Sequence, residues 1–184
     1  MSAVSADHTD IDLTIHDRRL SAVRASLRIP ILASTGAGPT ALAAFDAALL
    51  SGGIANYNLV RLSSVIPPAT VIDASAVASS IKPGGWGDRL YCVFARQDAT
   101  TRGDEAWAGI SWVQDPETGA GLFVEHEGSS EAHVRRDLAA SIDALCRNRG
   151  ISGLVAQSRV IGTICETEPV CALVMAPYQT AGWD

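Results

Sequence analysis

The stretch Asn58-Leu-Val-Arg-Leu-Ser-Ser-Val-Ile-Pro-Pro68, NLVRLSSVIPP, reads as a strand running into a proline stop. Its apolar residues Leu59, Val60, Leu62, Val65 and Ile66 surround two adjacent hydroxyls, Ser63 and Ser64. Pro67-Pro68 removes two backbone donors and restricts the residue before each ring, so the chain just after the serine pair is stiff.

Upstream, Leu27–Ala33 reads as a strand and Ser34–Thr40 as a loop, with Thr40 placed to cap a helix. That helix carries Leu42, Phe45 and Leu49 as its apolar stripe, Asp46 at the stripe's edge and Gly52-Gly53 at its end. Downstream, Val71-Ile72 suggests a short strand, residues 82–87 a loop, and Arg89–Ala95 and Ala106–Val113 two strands joined by a polar loop. Gln114–Gly119 is a Pro-then-Gly turn that makes a hairpin into Gly121–Glu125. A second helix over Ser130–Arg149 presents Val134, Leu138, Ile142 and Leu145 on one face and stops at Gly150. Val155–Ile164 and Val170–Met175 close the pattern, followed by a polar tail. Two amphipathic helices among about seven strands predict an α+β sandwich, with helices covering a mostly antiparallel sheet. Residues 1–25 read as a polar N-terminal arm and 26–184 as a single domain.

Composition narrows the functions open to this fold. Hydrophobic residues make up 47% and charged residues 18% of the 184 positions, enough for a sizeable core. The formal charge of −6 and the absence of a basic stripe argue against nucleic-acid binding; Arg135-Arg136, Arg147 and Arg149 lie among acids on a helix face. No apolar run reaches the roughly 18 residues of a membrane span, and the start MSAVSADHTDIDLTIHD does not resemble a signal peptide, so a cytoplasmic location is expected. Cys92, Cys146, Cys165 and Cys171 sit in apolar settings without a C-x-x-C pair and read as reduced, packed thiols. The four histidines are too scattered for a metal cage, so no metal site is expected.

The Gly36-Ala-Gly38 loop lacks the Gly-Lys-Ser/Thr of a phosphate loop and the third glycine of a dinucleotide fingerprint, which leaves a tight turn. The serine pair has no G-x-S-x-G elbow. It could be two ordinary hydroxyls at a strand end. It could also react with itself: the Ser64 hydroxyl attacks the Ser63 carbonyl, the peptide becomes an ester, and elimination leaves dehydroalanine, which water converts to a ketone. That chemistry wants a strained turn and a polar group near the attacked carbonyl, which the Asn58 amide could supply.

The run Ala43-Ala-Phe-Asp46-Ala-Ala-Leu-Leu50, then Gly53-Ile-Ala-Asn-Tyr-Asn58-Leu-Val-Arg-Leu-Ser63-Ser64-Val-Ile-Pro-Pro68, resembles pyruvoyl-dependent arginine decarboxylases. Gly121-Leu-Phe-Val-Glu125-His-Glu-Gly128 is similar to that family's glycine-bounded acidic segment, and the likeness covers roughly residues 26–177. It implies an αββα sandwich and cleavage between Ser63 and Ser64, giving a β chain of residues 1–63 and an α chain of 64–184 capped by a pyruvoyl group made from Ser64. It also implies a homotrimer of αβ protomers with active sites between neighbours, and conversion of arginine to agmatine and carbon dioxide. By position, Asp46 matches the carboxylate that binds the substrate guanidinium, Asn58 the asparagine needed for processing, and Glu125 the catalytic acid.

These residue types suit the chemistry. A ketone on the chain condenses with a substrate amine and accepts the electrons left by a departing carboxylate. A buried glutamic acid returns a proton to carbon, and a carboxylate pairs a planar guanidinium with two parallel hydrogen bonds. The chain departs from the family in its Gly-Ala-Gly-Pro-Thr-Ala loop, in Ala55 where a second glycine is common, in the N-terminal arm and in the Arg102–Glu105 loop. Two alternatives therefore remain: the same machinery on another amino acid, or an unprocessed relative that binds a cationic ligand.

Overall fold

The computed structural model describes residues 27–78 and 84–183, so the polar arm and part of the 82–87 loop lie outside the described residues. The element order is β1 (Leu27–Pro30), β2 (Leu32–Ala37), α1 (Ala41–Ser51), β3 (Asn58–Arg61), β4 (Val65–Ile66), β5 (Thr70–Asp73), β6 (Arg89–Ala99), β7 (Glu105–Gln114), β8 (Gly121–Gly128), α2 (Glu131–Asn148), β9 (Gln157–Ile164) and β10 (Val170–Ala181). One four-stranded sheet runs β2-β10-β6-β3 and a second runs β4-β8-β7-β9. A small parallel pair, β1-β5, stands apart, and β3-β6 is the other parallel pairing; the remaining ladders are antiparallel.

Side-chain alternation builds four layers from these strands. On β10, Ala172, Val174 and Ala176 face the second sheet and pack with Ala106, Ala108, Ile110, Trp112 and Phe123. The intervening Cys171, Leu173 and Met175 pack under α1 with Ala44 and Ala48. With both faces buried, β10 reads as one continuous apolar run. On the far side, Val134, Leu138 and Ile142 of α2 cover Val113, Leu122 and Val124. The result is an αββα sandwich, as expected.

The local differences from the expected pattern have physical causes. Ser34–Ala37 is strand rather than loop, paired with Val170–Leu173 of β10. Its glycine serves the helix above it, since a Cβ on Gly36 would lie 2.3 Å from the Ala48 amide nitrogen and 2.4 Å from the Ala44 carbonyl oxygen. Helix α1 therefore approaches backbone to backbone through Ala44 and Ala48, and Leu42, expected inside, is 72% exposed. Strands β6 and β7, neighbours in sequence, lie in facing sheets. The second helix is as expected: Ser130 caps it by accepting from the His133 amide, and Val134, Leu138 and Ile142 are buried.

Candidate active site

The strand expected in the Asn58–Pro68 stretch is two strands in two different sheets. β3 ends at Arg61, and one more backbone bond, from Leu62 to the Cys92 carbonyl, continues its line along β6. The chain then leaves the first sheet, and Val65-Ile66 joins the edge of the second beside Leu122 and Gly121. Ser63 and Ser64 form the crossing.

The crossing is strained. Ser64 has φ of +65°, one of two non-glycine residues with positive φ among the described residues. For a residue with a Cβ this conformation costs on the order of 1–2 kcal/mol, so surrounding bonds must hold it. Two do. The Phe123 amide donates to the Ser64 carbonyl oxygen at 2.8 Å. The Ser64 hydroxyl donates to Glu125, lying 2.8 Å from one carboxylate oxygen and 2.9 Å from the other.

Glu125 stands on β8 opposite Ile110 of β7. Burial pushes its carboxyl above the usual glutamate range; the Ser64 hydrogen bond and the charges of Arg61 and His126 oppose that rise, and Glu127 adds to it. Arg61 stacks its guanidinium 4.5 Å above the Phe94 ring and donates to the Phe94 carbonyl oxygen. Tyr178 donates its hydroxyl to the Val65 carbonyl oxygen at 3.0 Å, and its own ionisation is pushed upward by burial and by the Glu125 charge. Arg61 and Tyr178 were not among the expected site residues. Arg61 reads as an ordinary charged strand position, and Tyr178 falls in the expected polar tail, which is in fact the end of β10.

The other expected residues lie elsewhere in the chain. Asn58 opens β3, three extended steps and so about 10 Å from Arg61 at the strand's other end. Its side-chain amide donates to the Gly87 carbonyl oxygen at 2.7 Å, which also accepts from the Trp183 indole at 2.8 Å. Asp46 is exposed on α1, and its carboxylate makes no hydrogen bond or ion pair among the described residues. Ser63 is exposed beside Ser64. Among the described residues, no group of three or more His, Cys, Asp or Glu is placed to hold a metal ion.

A hydroxyl in an enforced conformation, held by a partly buried carboxyl group, is equipped for two tasks. The carboxyl can orient the Ser64 oxygen, and it can carry a proton to or from whatever occupies position 64. A carbonyl at that position fits the surroundings, because the Ser64 backbone is already anchored and Glu125 is already within reach.

Comparison with known proteins bears on the same residues. A pyruvoyl-dependent arginine decarboxylase of Halobacterium salinarum is 41% identical over 99 residues, which is 53% of this chain and 59% of the relative. One from Methanococcus vannielii is 37% identical over 103 residues, 54% of this chain and 57% of the relative, so the chain spans less than two thirds of the length of either. Among solved structures, a pyruvoyl-dependent histidine decarboxylase aligns with a TM-score of 0.40 and 18% identity over 55% of this chain and 54% of its own. The family described as Pyruvoyl-dependent arginine decarboxylase (PvlArgDC) matches residues 28–180, from β1 into β10 and across the Ser63-Ser64 crossing, and to that family this chain belongs.

Proposed function

We propose that this chain is a self-processing, pyruvoyl-dependent decarboxylase that converts arginine to agmatine and carbon dioxide in the cytoplasm. Family membership supports the reading, and one observation carries it: Ser64, strained at φ +65°, donates its hydroxyl to the partly buried Glu125 carboxyl at the crossing between the sheets.

In processing, the Ser64 oxygen bonds to the Ser63 carbonyl carbon as the Ser63–Ser64 C–N bond breaks, leaving an ester and a free Ser64 amine. Loss of the Ser64 α-proton expels the Ser63 carboxylate, and water then replaces the nitrogen, which leaves as ammonia. The pyruvoyl group so formed supplies a carbonyl that engages the substrate amine and takes up the electron pair released with carbon dioxide. Glu125, whose neutral form burial favours, gives a proton to the substrate α-carbon. Asp46 binds the guanidinium through two charge-assisted hydrogen bonds. Asn58 assists cleavage.

Among the described residues, neither Asp46 nor Asn58 forms a hydrogen bond with Ser64. That separation supports sites shared between protomers of a trimer, in which one protomer supplies Ser64 and Glu125 and its neighbour supplies Asp46 and Asn58. Intact mass under denaturing conditions tests the reading. Pieces of residues 1–63 and 64–184 are expected, the latter lacking an amine at its start, together with carbon dioxide release from arginine. A single polypeptide of full mass that releases no carbon dioxide overturns it.

A further inference from the structure

Cleavage at Ser63–Ser64 creates a mechanical problem. Residue 64 changes from a mid-chain position to a chain start, and chain starts fray unless tied down. The strand that follows is only two residues long, Val65-Ile66, at the edge of the second sheet, and Val65 is 46% exposed. Two residues of edge pairing are little to hold a reacting group in place. Pro67 and Pro68 stiffen the next positions but donate no backbone hydrogen bond.

Tyr178 supplies a tie from the opposite sheet. It lies on β10, in the first sheet, yet its hydroxyl reaches across and donates to the Val65 carbonyl oxygen at 3.0 Å. The local irregularity of β10 is built around this residue. Pro177 pairs with Cys92 and Gln179 with Tyr91, so Tyr178 stands opposite no residue of β6. A bulge of this kind bends the strand and re-aims its side chain. The ring is fixed as well: it meets Phe123 edge-on, with centroids 6.1 Å apart and planes at 70°, and Phe123 in turn meets Trp112 at 6.5 Å and 62°. The Phe123 backbone amide is the donor to the Ser64 carbonyl oxygen. One aromatic contact therefore joins the two donors that hold the consecutive peptides on either side of the Val65 α-carbon.

We propose that Tyr178 is a positioning residue, which with the Phe123 amide clamps the chain start formed by self-cleavage and keeps position 64 aimed at Glu125. Before cleavage the clamp is redundant, because β3 and the Leu62–Cys92 bond tether the segment from its other side. After cleavage it is the restraint on the first two carbonyls of the new chain start, ahead of Ile66, whose side chain is buried in the core. The phenol suits the task because its ionisation is pushed upward, so it stays a donor while Glu125 gains and loses its proton nearby. This inference rests on the self-processing reading above.

The test compares Tyr178→Phe with the natural chain, since phenylalanine keeps the ring and removes only the hydroxyl. Cleavage into residues 1–63 and 64–184 is expected to proceed within about twofold of the natural rate. In the processed variant, kcat is expected to fall by roughly 10- to 100-fold with KM little changed, the cost of a small misplacement of a reacting group. Independently of activity, hydrogen exchange of the Val65, Ile66 and Phe123 amides is expected to quicken by about tenfold in processed Tyr178→Phe, and not in the uncleaved Ser64→Ala/Tyr178→Phe chain against Ser64→Ala. Unmutated protein gives a second reading: those amides stay as protected after cleavage as in Ser64→Ala. Equal exchange in processed variant and natural protein, loss of cleavage in Tyr178→Phe, or fraying of residues 65–66 in processed natural protein each overturns the clamp. Failure of the natural chain to cleave at all overturns the functional reading instead.

Discussion

Ser64 donates one hydroxyl to both carboxylate oxygens of Glu125, at 2.8 and 2.9 Å, across 61 positions of sequence. The bond exists because β4 hands residue 64 to the edge of β8 in a conformation that a side chain rarely adopts. Nothing in the local sequence pairs these residues; β4 has to join the edge of β8 within the second sheet first.

Ser64→Ala deletes the attacking oxygen and leaves the fold's apolar layers untouched. It is expected to give one intact, inactive chain of full length, seen as a single mass under denaturing conditions. Continued scission at this bond would show that another group attacks the Ser63 carbonyl.

Glu125 is expected to separate the two reactions of the site. Glu125→Gln keeps an oxygen that accepts the Ser64 hydroxyl, so cleavage continues, but it carries no exchangeable acid proton for the substrate carbon. Decarboxylation is expected to fall by roughly 10²- to 10⁴-fold, the usual worth of a positioned general acid. Single-turnover rates on fully cleaved protein make the measurement; a near-natural rate removes Glu125 from the proton-transfer step.

Burial raises the Glu125 pKa, and the sign of the pH effect follows from that direction. Above the ordinary glutamate range the folded chain holds this proton while the unfolded chain has released it. Stability from this group is therefore present at low pH and lost as pH rises through the raised folded value. In the Ser64→Ala background, denaturant midpoints are expected to decline across that window. The decline is expected to vanish in Ser64→Ala/Glu125→Gln. The proposed decarboxylation is expected to slow over the same direction of pH, as Glu125 loses its proton. Parallel midpoint curves for the two chains would contradict a buried, raised carboxyl.

Asp46 is exposed on α1, where its carboxylate is open to the substrate guanidinium proposed above. Asp46→Ala is expected to leave chain cleavage unchanged and to raise KM for arginine by about 100-fold, the loss of two charge-assisted hydrogen bonds. Initial rates over a range of arginine concentrations decide it, and an unchanged KM moves the guanidinium site elsewhere.

The parts of the molecule legible in the sequence are those set by nearest neighbours. The α2 stripe of Val134, Leu138 and Ile142, its Ser130 cap, and the hairpin between β7 and β8 follow from spacing and turn chemistry alone. Ser64 and Glu125 were paired only through family resemblance, because their contact is a product of long-range pairing between β4 and β8. Apolar runs do not say which sheet a strand joins, so the split of β3 from β4 and of β6 from β7 escaped the pattern. Tyr178 escaped for a related reason: past Pro177 the residues turn polar, and the bulge that redirects the ring has no composition of its own. The strand at Ser34–Ala37 was hidden by its glycines, which look like a loop but serve the contact between β2 and α1.

That contact yields the last prediction. At Gly36, an added Cβ would lie 2.3 Å from the Ala48 nitrogen, 2.4 Å from the Ala44 oxygen and 2.7 Å from the Ala47 carbonyl carbon, all backbone atoms of α1. A rotamer change cannot relieve these contacts, so the whole helix must move. The helix is also pinned, since the buried Ser34 hydroxyl donates to the Ala48 carbonyl oxygen at 2.8 Å. Gly36→Ala is therefore expected to destabilise by on the order of 1–3 kcal/mol, as overpacked cores do. That lowers the melting midpoint by roughly 2–4 °C for each kcal/mol in a chain of this size. The neighbouring, exposed Ala37→Ser is expected to stay within about 0.5 kcal/mol. Thermal unfolding of the Ser64→Ala chain with and without each change makes the comparison. Equal midpoints for Gly36→Ala and Ala37→Ser would mean that α1 does not press on β2 as described, and with it the placement of Asp46 on that helix would lose its support.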